Sequence, residues 1–125
     1  MTNRVVAWQV VSPDPGRSAR FLEELFGWAT DQDNALGYRR VTGAGIDGGV
    51  WPAPQGVQPF VQLFVEVADL DAGIARAEAL GAKVIVPKSV LPDGDAMAVL
   101  LDPLGMTIGL CTPPISRRSG VAAPD

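Results

Sequence analysis

The chain has 125 residues, 47% of them hydrophobic, which is enough for one domain with a core. Its net charge of −4 and pI near 4.6 disfavour a nucleic-acid partner, which usually needs a basic face. Histidine is absent, which removes the commonest metal ligand and the commonest general base near neutral pH.

A single cysteine, Cys111, excludes an internal disulfide framework and is typical of a reducing compartment. No apolar run approaches the roughly 20 residues that a membrane helix needs. The first residues lack the basic segment and long apolar segment of a signal peptide. We therefore expect a soluble, cytoplasmic protein without membrane or nucleic-acid partners.

The first elements are a strand and a capped helix. Val5–Val11 is dense in β-forming residues, and Asp14 with Pro15 suits the start of a helix that ends before Gly27. The predicted inner stripe of this helix is Ala19, Leu22, Leu25 and Phe26. Three short strands should follow: one after Trp28, one at about Tyr38–Val41 beyond a polar turn at Asp31–Asn34, and one at about Asp47–Trp51. The proline-rich stretch 52–59 is predicted to be a linker.

The second half repeats this order. Val61–Val67 alternates as a strand, and Asp69 caps a helix through about Leu80, with Leu70, Ile74 and Ala77 inside and Gly81 at its end. Further strands are predicted at Lys83–Pro87, Ala96–Leu101 and Met106–Cys111, with turns at Leu91–Asp95 and Asp102–Gly105 and a flexible tail at 113–125. The two halves lie about 54 residues apart by the spacing of their helix ends. The fold class predicted is α+β: two βαβββ modules, at about 4–52 and 60–112 within one domain of 1–112, forming a curved mixed sheet around a concave cleft with the helices outside.

Four segments carry a resemblance to a known family over roughly Val5 to Cys111. They are the segments Asp14–Trp28, Val65–Ala72, Ala79–Ala82 and Leu101–Leu110. With the repeat, they resemble the vicinal-oxygen-chelate superfamily of glyoxalase I, bleomycin-resistance proteins and extradiol dioxygenases, so the domain is expected to be glyoxalase-like. The resemblance implies a homodimer, often with a cleft shared across chains, but no particular reaction, because one such fold hosts many functions.

Metal enzymes of that superfamily carry ligands on inward-facing strand positions. By register, the resemblance places these positions at Ala7, Gln62, Gly109 and somewhere in Gly48–Trp51. Neutral amides such as Gln9 and Gln62 make a poor site for a divalent metal, which prefers histidine, thiolate or carboxylate. We therefore expect a metal-free member with no cofactor.

Strand alternation predicts which side chains face the cleft. Val61, Leu63, Val65 and Val67 should pack under the helices, which leaves the other face of that strand for a ligand. The predicted ligand-binding residues are Gln9, Trp28, Trp51, Gln62, Phe64, Glu66 and Cys111. Trp28 and Trp51 have two open interpretations: stacking on a flat ligand, or packing at the rim or in a dimer contact.

Catalytic candidates are few. Glu66 is a possible general base, but a solvated glutamate at a strand end is the favoured interpretation. Tyr38 is the only tyrosine and the other proton-transfer candidate. Cys111 is expected to be an inert thiol, since no histidine is present to activate it. Arg39 and Arg40 point to opposite faces, so at most one of them can meet an anionic ligand.

Binding is thus expected ahead of catalysis. The leading hypothesis is metal-independent binding of a small organic molecule, as in the sequestration of a drug by bleomycin-resistance (antibiotic-resistance) proteins. A metal-free isomerase, cyclase or lyase is the alternative, and a metal-dependent glyoxalase or dioxygenase is disfavoured by Ala7, Gln62 and Gly109.

Overall fold

The computed structural model describes residues 2–31, 37–90 and 96–112. The elements in chain order are β1 (Val5–Ser12), α1 (Pro15–Phe26), β2 (Ala29–Asp31), β3 (Arg39–Thr42), β4 (Gly48–Pro52), β5 (Phe60–Glu66), α2 (Leu70–Ala79), β6 (Lys83–Val90), β7 (Ala96–Leu101) and β8 (Thr107–Thr112). The predicted order of strand, helix and three strands therefore occurs twice, and the α+β class is confirmed.

Contacts divide the chain into two compact units. The N-terminal unit is Val6–Leu63, and the C-terminal unit comprises residues 2–5 and 64–112 of the described chain. β5 contributes its first half to the former and its second half to the latter.

The N-terminal unit contains a mixed sheet in the order β2-β3-β4-β1, in which only β1 and β4 are parallel. α1 packs on β4 and β2. The helix begins where Asp14 accepts a hydrogen bond from the Arg17 amide at 3.2 Å. It ends at Gly27, whose φ of 76° allows the left-handed cap that directs its N–H to the Glu23 carbonyl.

The C-terminal unit orders its strands β5-β8-β7-β6, with β5 and β8 parallel and the other pairs antiparallel. Asp69 caps α2 through the Ala72 amide at 3.0 Å, and the helix packs on β6, β7 and β8. β6 extends to Val90, three residues beyond the predicted end at Pro87. Proline is tolerated there because β6 is the edge strand and its pairing with β7 is irregular.

Two packing predictions were wrong. Val61 and Leu63 were expected under the helices, but they are 64% and 47% exposed. Within the N-terminal unit, which contains the start of β5, α1 packs on β4 and β2 instead. Leu25 and Phe26 are also exposed. The buried side of α1 is the one that carries Ala19, and the last residues of the helix point toward solvent.

Some predictions lie outside the described residues. These are most of the turn at Asp31–Asn34, the turn at Leu91–Asp95 and the tail at 113–125. In the part of the chain that the structure describes, no helix has the length and apolar character to cross a membrane.

Candidate functional site

Aromatic rings lie directly over three strand glycines, Gly48, Gly49 and Gly109. A Cβ added at Gly109 would lie 2.4 Å from the ring of Phe64, which therefore occupies the space of an inward side chain. At Gly48 and Gly49 an added Cβ would meet the rings of Trp8 and Tyr38 at 2.0 and 2.1 Å. These glycines are needed because an aromatic ring lies directly over each backbone.

The side chains at the metal-ligand positions predicted from the resemblance do not fit a divalent metal. Ala7 and Gly109 offer no side-chain donor, and Gln62 offers only a neutral amide. Within residues 2–31, 37–90 and 96–112, no group of three or more His, Cys, Asp or Glu side chains could hold a metal ion. No mechanism routed through a metal follows from this set of residues.

Tyr38 and Trp51 form an aromatic pair in the N-terminal unit, with ring centroids 4.5 Å apart. The Tyr38 ring covers Gly49, and its hydroxyl donates to the Gly48 carbonyl at 3.4 Å. Gln9 is the β1 partner of Gly49, so its side chain emerges on the same face of the sheet as Gly49 and Trp51. α1 packs on the opposite face, the one that carries Trp8 and Gly48.

Two buried polar atoms in this unit have no hydrogen-bond partner among the described residues: Trp51 Nε1 and Gln62 Oε1. Gln62 is only 6% exposed, although it lies between the exposed Val61 and Leu63 on β5. A buried donor or acceptor without a partner costs roughly 1–3 kcal/mol. The two atoms are complementary in character: the indole N–H can donate, and the amide oxygen can accept.

In the C-terminal unit, Phe64, Glu66 and Cys111 share one face of the sheet. Phe64 and Glu66 are paired in register with Gly109 and Cys111. The carboxylate of Glu66 lies 3.7 Å from the Arg4 guanidinium, and its backbone carbonyl accepts a hydrogen bond from Asn3 at 2.9 Å. Glu66 is thus part of the contacts that attach residues 3 and 4 to β5. Cys111 is half-buried.

Trp28 lies in a separate aromatic cluster. Its ring centroid is 5.4 Å from that of Trp8 and 4.7 Å from that of Phe26. Trp8 Nε1 donates to the Ile46 carbonyl at 2.8 Å, so the Trp8 indole in this cluster has a hydrogen-bond partner. The structure thus separates Trp28 from Trp51, which sequence reasoning had grouped together.

The remaining carboxylates have structural contacts. Asp102 accepts hydrogen bonds from the amides of Leu104 and Met106, both at 2.9 Å, as predicted for a turn aspartate. Asp14 and Asp69 cap the helices. Sequence reasoning missed the Tyr38–Trp51 pair. The available signal was the alternation of β4, which places Gly49 and Trp51 on one face with space above the glycine for a ring.

Comparison with known proteins identifies the domain. A family model described as a glyoxalase-like domain matches residues 6–111. "Putative glyoxylase CFP32" of Mycobacterium bovis and its counterpart in Mycobacterium tuberculosis are each 27% identical over 106 residues, covering 78% of this chain. The match spans only 41% of the length of these curated relatives.

Solved structures share the fold. A glyoxalase/bleomycin resistance protein/dioxygenase superfamily member from Vibrio splendidus superposes with a TM-score of 0.65 at 17% identity, over 90% of this chain and 100% of its own. Methylmalonyl-CoA epimerase from Mycobacterium tuberculosis gives a TM-score of 0.64 at 15% identity, over 92% of this chain and 91% of its own. At such identities the likeness extends to the fold alone.

Proposed function

This chain belongs to the glyoxalase-like domain family, and on that premise we propose that it binds a small, flat organic molecule without the help of a metal. The observation that carries the proposal is the pair of buried, unpartnered atoms, Trp51 Nε1 and Gln62 Oε1. A ligand that offers an acceptor to the indole and a donor to the amide satisfies both atoms. Both atoms are already shielded from water in the free protein, so hydrogen bonds to a ligand stabilise the complex without a further desolvation cost.

The aromatic pair supports a flat ligand. Tyr38 and Trp51 present rigid ring surface with few rotatable bonds, so little conformational entropy is lost when a planar molecule stacks on them. The neutral amide of Gln9 on the same face adds hydrogen-bonding capacity without charge. A neutral ligand that carries both a carbonyl and a hydroxyl suits these groups.

Sequestration is favoured over catalysis by the state of the acid–base candidates. The Glu66 carboxylate lies 3.7 Å from the Arg4 guanidinium and its backbone carbonyl accepts a hydrogen bond from Asn3, so its visible contacts are those that attach residues 3 and 4 to β5. The Tyr38 hydroxyl already donates to the Gly48 carbonyl. A glyoxalase or dioxygenase activity through a metal is disfavoured by the donor set at Ala7, Gln62 and Gly109.

We also propose that the chain pairs with a second copy of itself. α1 exposes Phe21, Leu25 and Phe26, an apolar surface that a neighbouring molecule can bury.

Tryptophan fluorescence tests the binding proposal. Flavonols and hydroxyanthraquinones are suitable probes, because they are flat and carry both a carbonyl acceptor and a hydroxyl donor. We expect saturable quenching by at least one of them, and Trp51→Phe should weaken its binding about tenfold, as expected for the loss of one buried hydrogen bond. Calorimetry would confirm the stoichiometry.

The matched control is Trp28→Phe, which alters the separate aromatic cluster of Trp8 and Phe26. This variant should bind the probe as the unmodified protein does. Equal losses from both tryptophan variants, or no saturable response to any probe, would contradict the proposal.

A further inference from the structure

A cavity lies in the N-terminal unit, on the α1 side of the sheet. Its volume is about 300 Å³, at the lower end of the range for small-molecule pockets. Residues of α1 and its cap form one wall, and β2 and β3 contribute one residue each. The lining residues are Asp14, Gly16, Arg17, Ala19, Arg20, Glu23, Thr30 and Arg39.

The carboxylates around this cavity have hydrogen-bond partners, whereas its arginines form no ion pair among the described residues. Glu23 accepts hydrogen bonds from the amide and hydroxyl of Thr30, at 3.3 and 2.6 Å, and Asp14 accepts one from the Arg17 amide. Both carboxylates therefore already have partners. By contrast, across the described ranges no ion pair within 4.0 Å involves the guanidinium of Arg17, Arg20 or Arg39.

Arg39 distinguishes this cavity from an ordinary basic surface. Arg40, its neighbour on β3, points to the opposite face and pairs with Asp47 at 3.5 Å. Arg39 is partly buried, and its Nη2 lies 3.4 Å from the position that a Cβ on Gly16 would take. The guanidinium thus lies close to the first turn of α1, and Asp14 Oδ1 lies 3.7 Å from the same Cβ position. Among the described residues no carboxylate lies within 4.0 Å of this partly buried guanidinium, and burial of an unpaired charge is costly.

We propose that this cavity binds a small oxyanion, a carboxylate or phosphate group, through Arg39 with Arg17 and Arg20 at its mouth. A guanidinium presents a planar set of donors that matches two oxygens of either group, and such charge-assisted hydrogen bonds are among the stronger ones. Three arginines against two carboxylates leave the cavity with one excess positive charge, in a chain whose net charge is −4. The site is independent of the Tyr38–Trp51 pair, which lies on the other face of the sheet.

Titration of the whole protein with sodium phosphate and, separately, sodium acetate at low ionic strength tests this proposal. Amide chemical shifts in a two-dimensional NMR spectrum would report the site. We expect saturable shifts at Gly16, Arg17 and Thr30 with millimolar affinity for at least one anion. The anion that binds more tightly identifies the preferred group.

Arg39→Gln should weaken that affinity by about tenfold or more, as expected for the loss of a charge-assisted hydrogen bond. Arg40→Gln removes the same charge on the opposite face and should leave the affinity within about twofold. If Arg39→Gln does not fold, Arg17→Gln and Arg20→Gln, both at exposed positions, should each weaken binding in its place. The proposal is overturned if neither anion gives saturable shifts at these amides, or if Arg40→Gln weakens binding as much as the cavity variants do.

Discussion

Gln62 is a polar residue buried between two exposed apolar ones, and its amide oxygen has no hydrogen-bond donor among the described residues. In a protein selected only for stability, an apolar residue at position 62 would remove an unsatisfied acceptor. Binding sites commonly retain such unfavourable groups, because the ligand completes them. The unsatisfied amide oxygen of Gln62 therefore indicates a role in ligand binding, whereas the register of the resemblance had suggested only a replaced metal ligand.

Gln62→Leu should raise the free energy of unfolding of the ligand-free protein by about 1 kcal/mol, because it removes a buried acceptor that lacks a donor. The same variant should bind the fluorescent-quenching probe about tenfold more weakly. Urea denaturation and probe titration measure the two effects. Gln9→Leu is the control, since its half-buried amide has no orphaned atom, and its stability should change by less than about 0.5 kcal/mol. A destabilised Gln62→Leu variant would show that the amide has a structural partner instead.

Among the strands, the main packing feature is an aromatic ring that lies directly over a glycine. On β8, Gly109 lies beneath Phe64 of the neighbouring parallel strand, and Phe64 is nearly fully buried. The strand pair thus fills with an aromatic ring the space that a side chain at position 109 would take. Glycine at position 109 is therefore a packing requirement.

Gly109→Ala should lower the free energy of unfolding by about 1–3 kcal/mol, because its Cβ would overlap a buried ring that has little freedom to move. Urea denaturation measures the change. Gly73→Ala on α2 is a matched control: its Cβ would make ordinary contacts of 3.5–3.7 Å with Val67 and Leu110. That variant should be neutral or stabilising by up to about 1 kcal/mol, as for alanine in a helix. Equal stability of the two variants would contradict the ring-over-glycine account.

For the whole molecule, the exposed apolar surface of α1 bears on association with a second copy. α1 was predicted to bury Leu25 and Phe26, yet it exposes both together with Phe21. Leaving these side chains in water forfeits hydrophobic stabilisation of roughly 25 cal/mol per Å² of apolar surface. The proposed second copy recovers it.

Phe21→Glu should convert a dimer into a monomer, because it places a charge in the apolar contact. Size-exclusion chromatography with light scattering should give twice the chain mass of 13.1 kDa for the unmodified protein and the single mass for the variant. Leu104→Glu is the control, at a turn residue that is already 90% exposed, and it should remain dimeric. A monomeric unmodified protein at all concentrations would refute the pairing.

Local sequence determined most of the fold. Asp14, Asp69 and Gly27 signal helix ends through short-range hydrogen bonds and backbone conformation, so these boundaries were predictable. Strand alternation likewise separated the two faces of β5, and it showed that Arg39 and Arg40 must point to opposite faces. Such features depend on residues only a few positions away, so a short stretch of sequence is enough to predict them.

Tertiary structure decided what covers each face. Alternation gave Val61 and Leu63 a common face, but their exposure depends on which strands α1 packs over, and these are β4 and β2. The same holds for the unpartnered atoms of Trp51 and Gln62 and for the cavity beside Arg39. Whether a polar atom has a partner is a property of all the groups around it. The sequence by itself therefore determined the family and the order of helices and strands, while only the packed structure revealed which polar groups remain for a ligand.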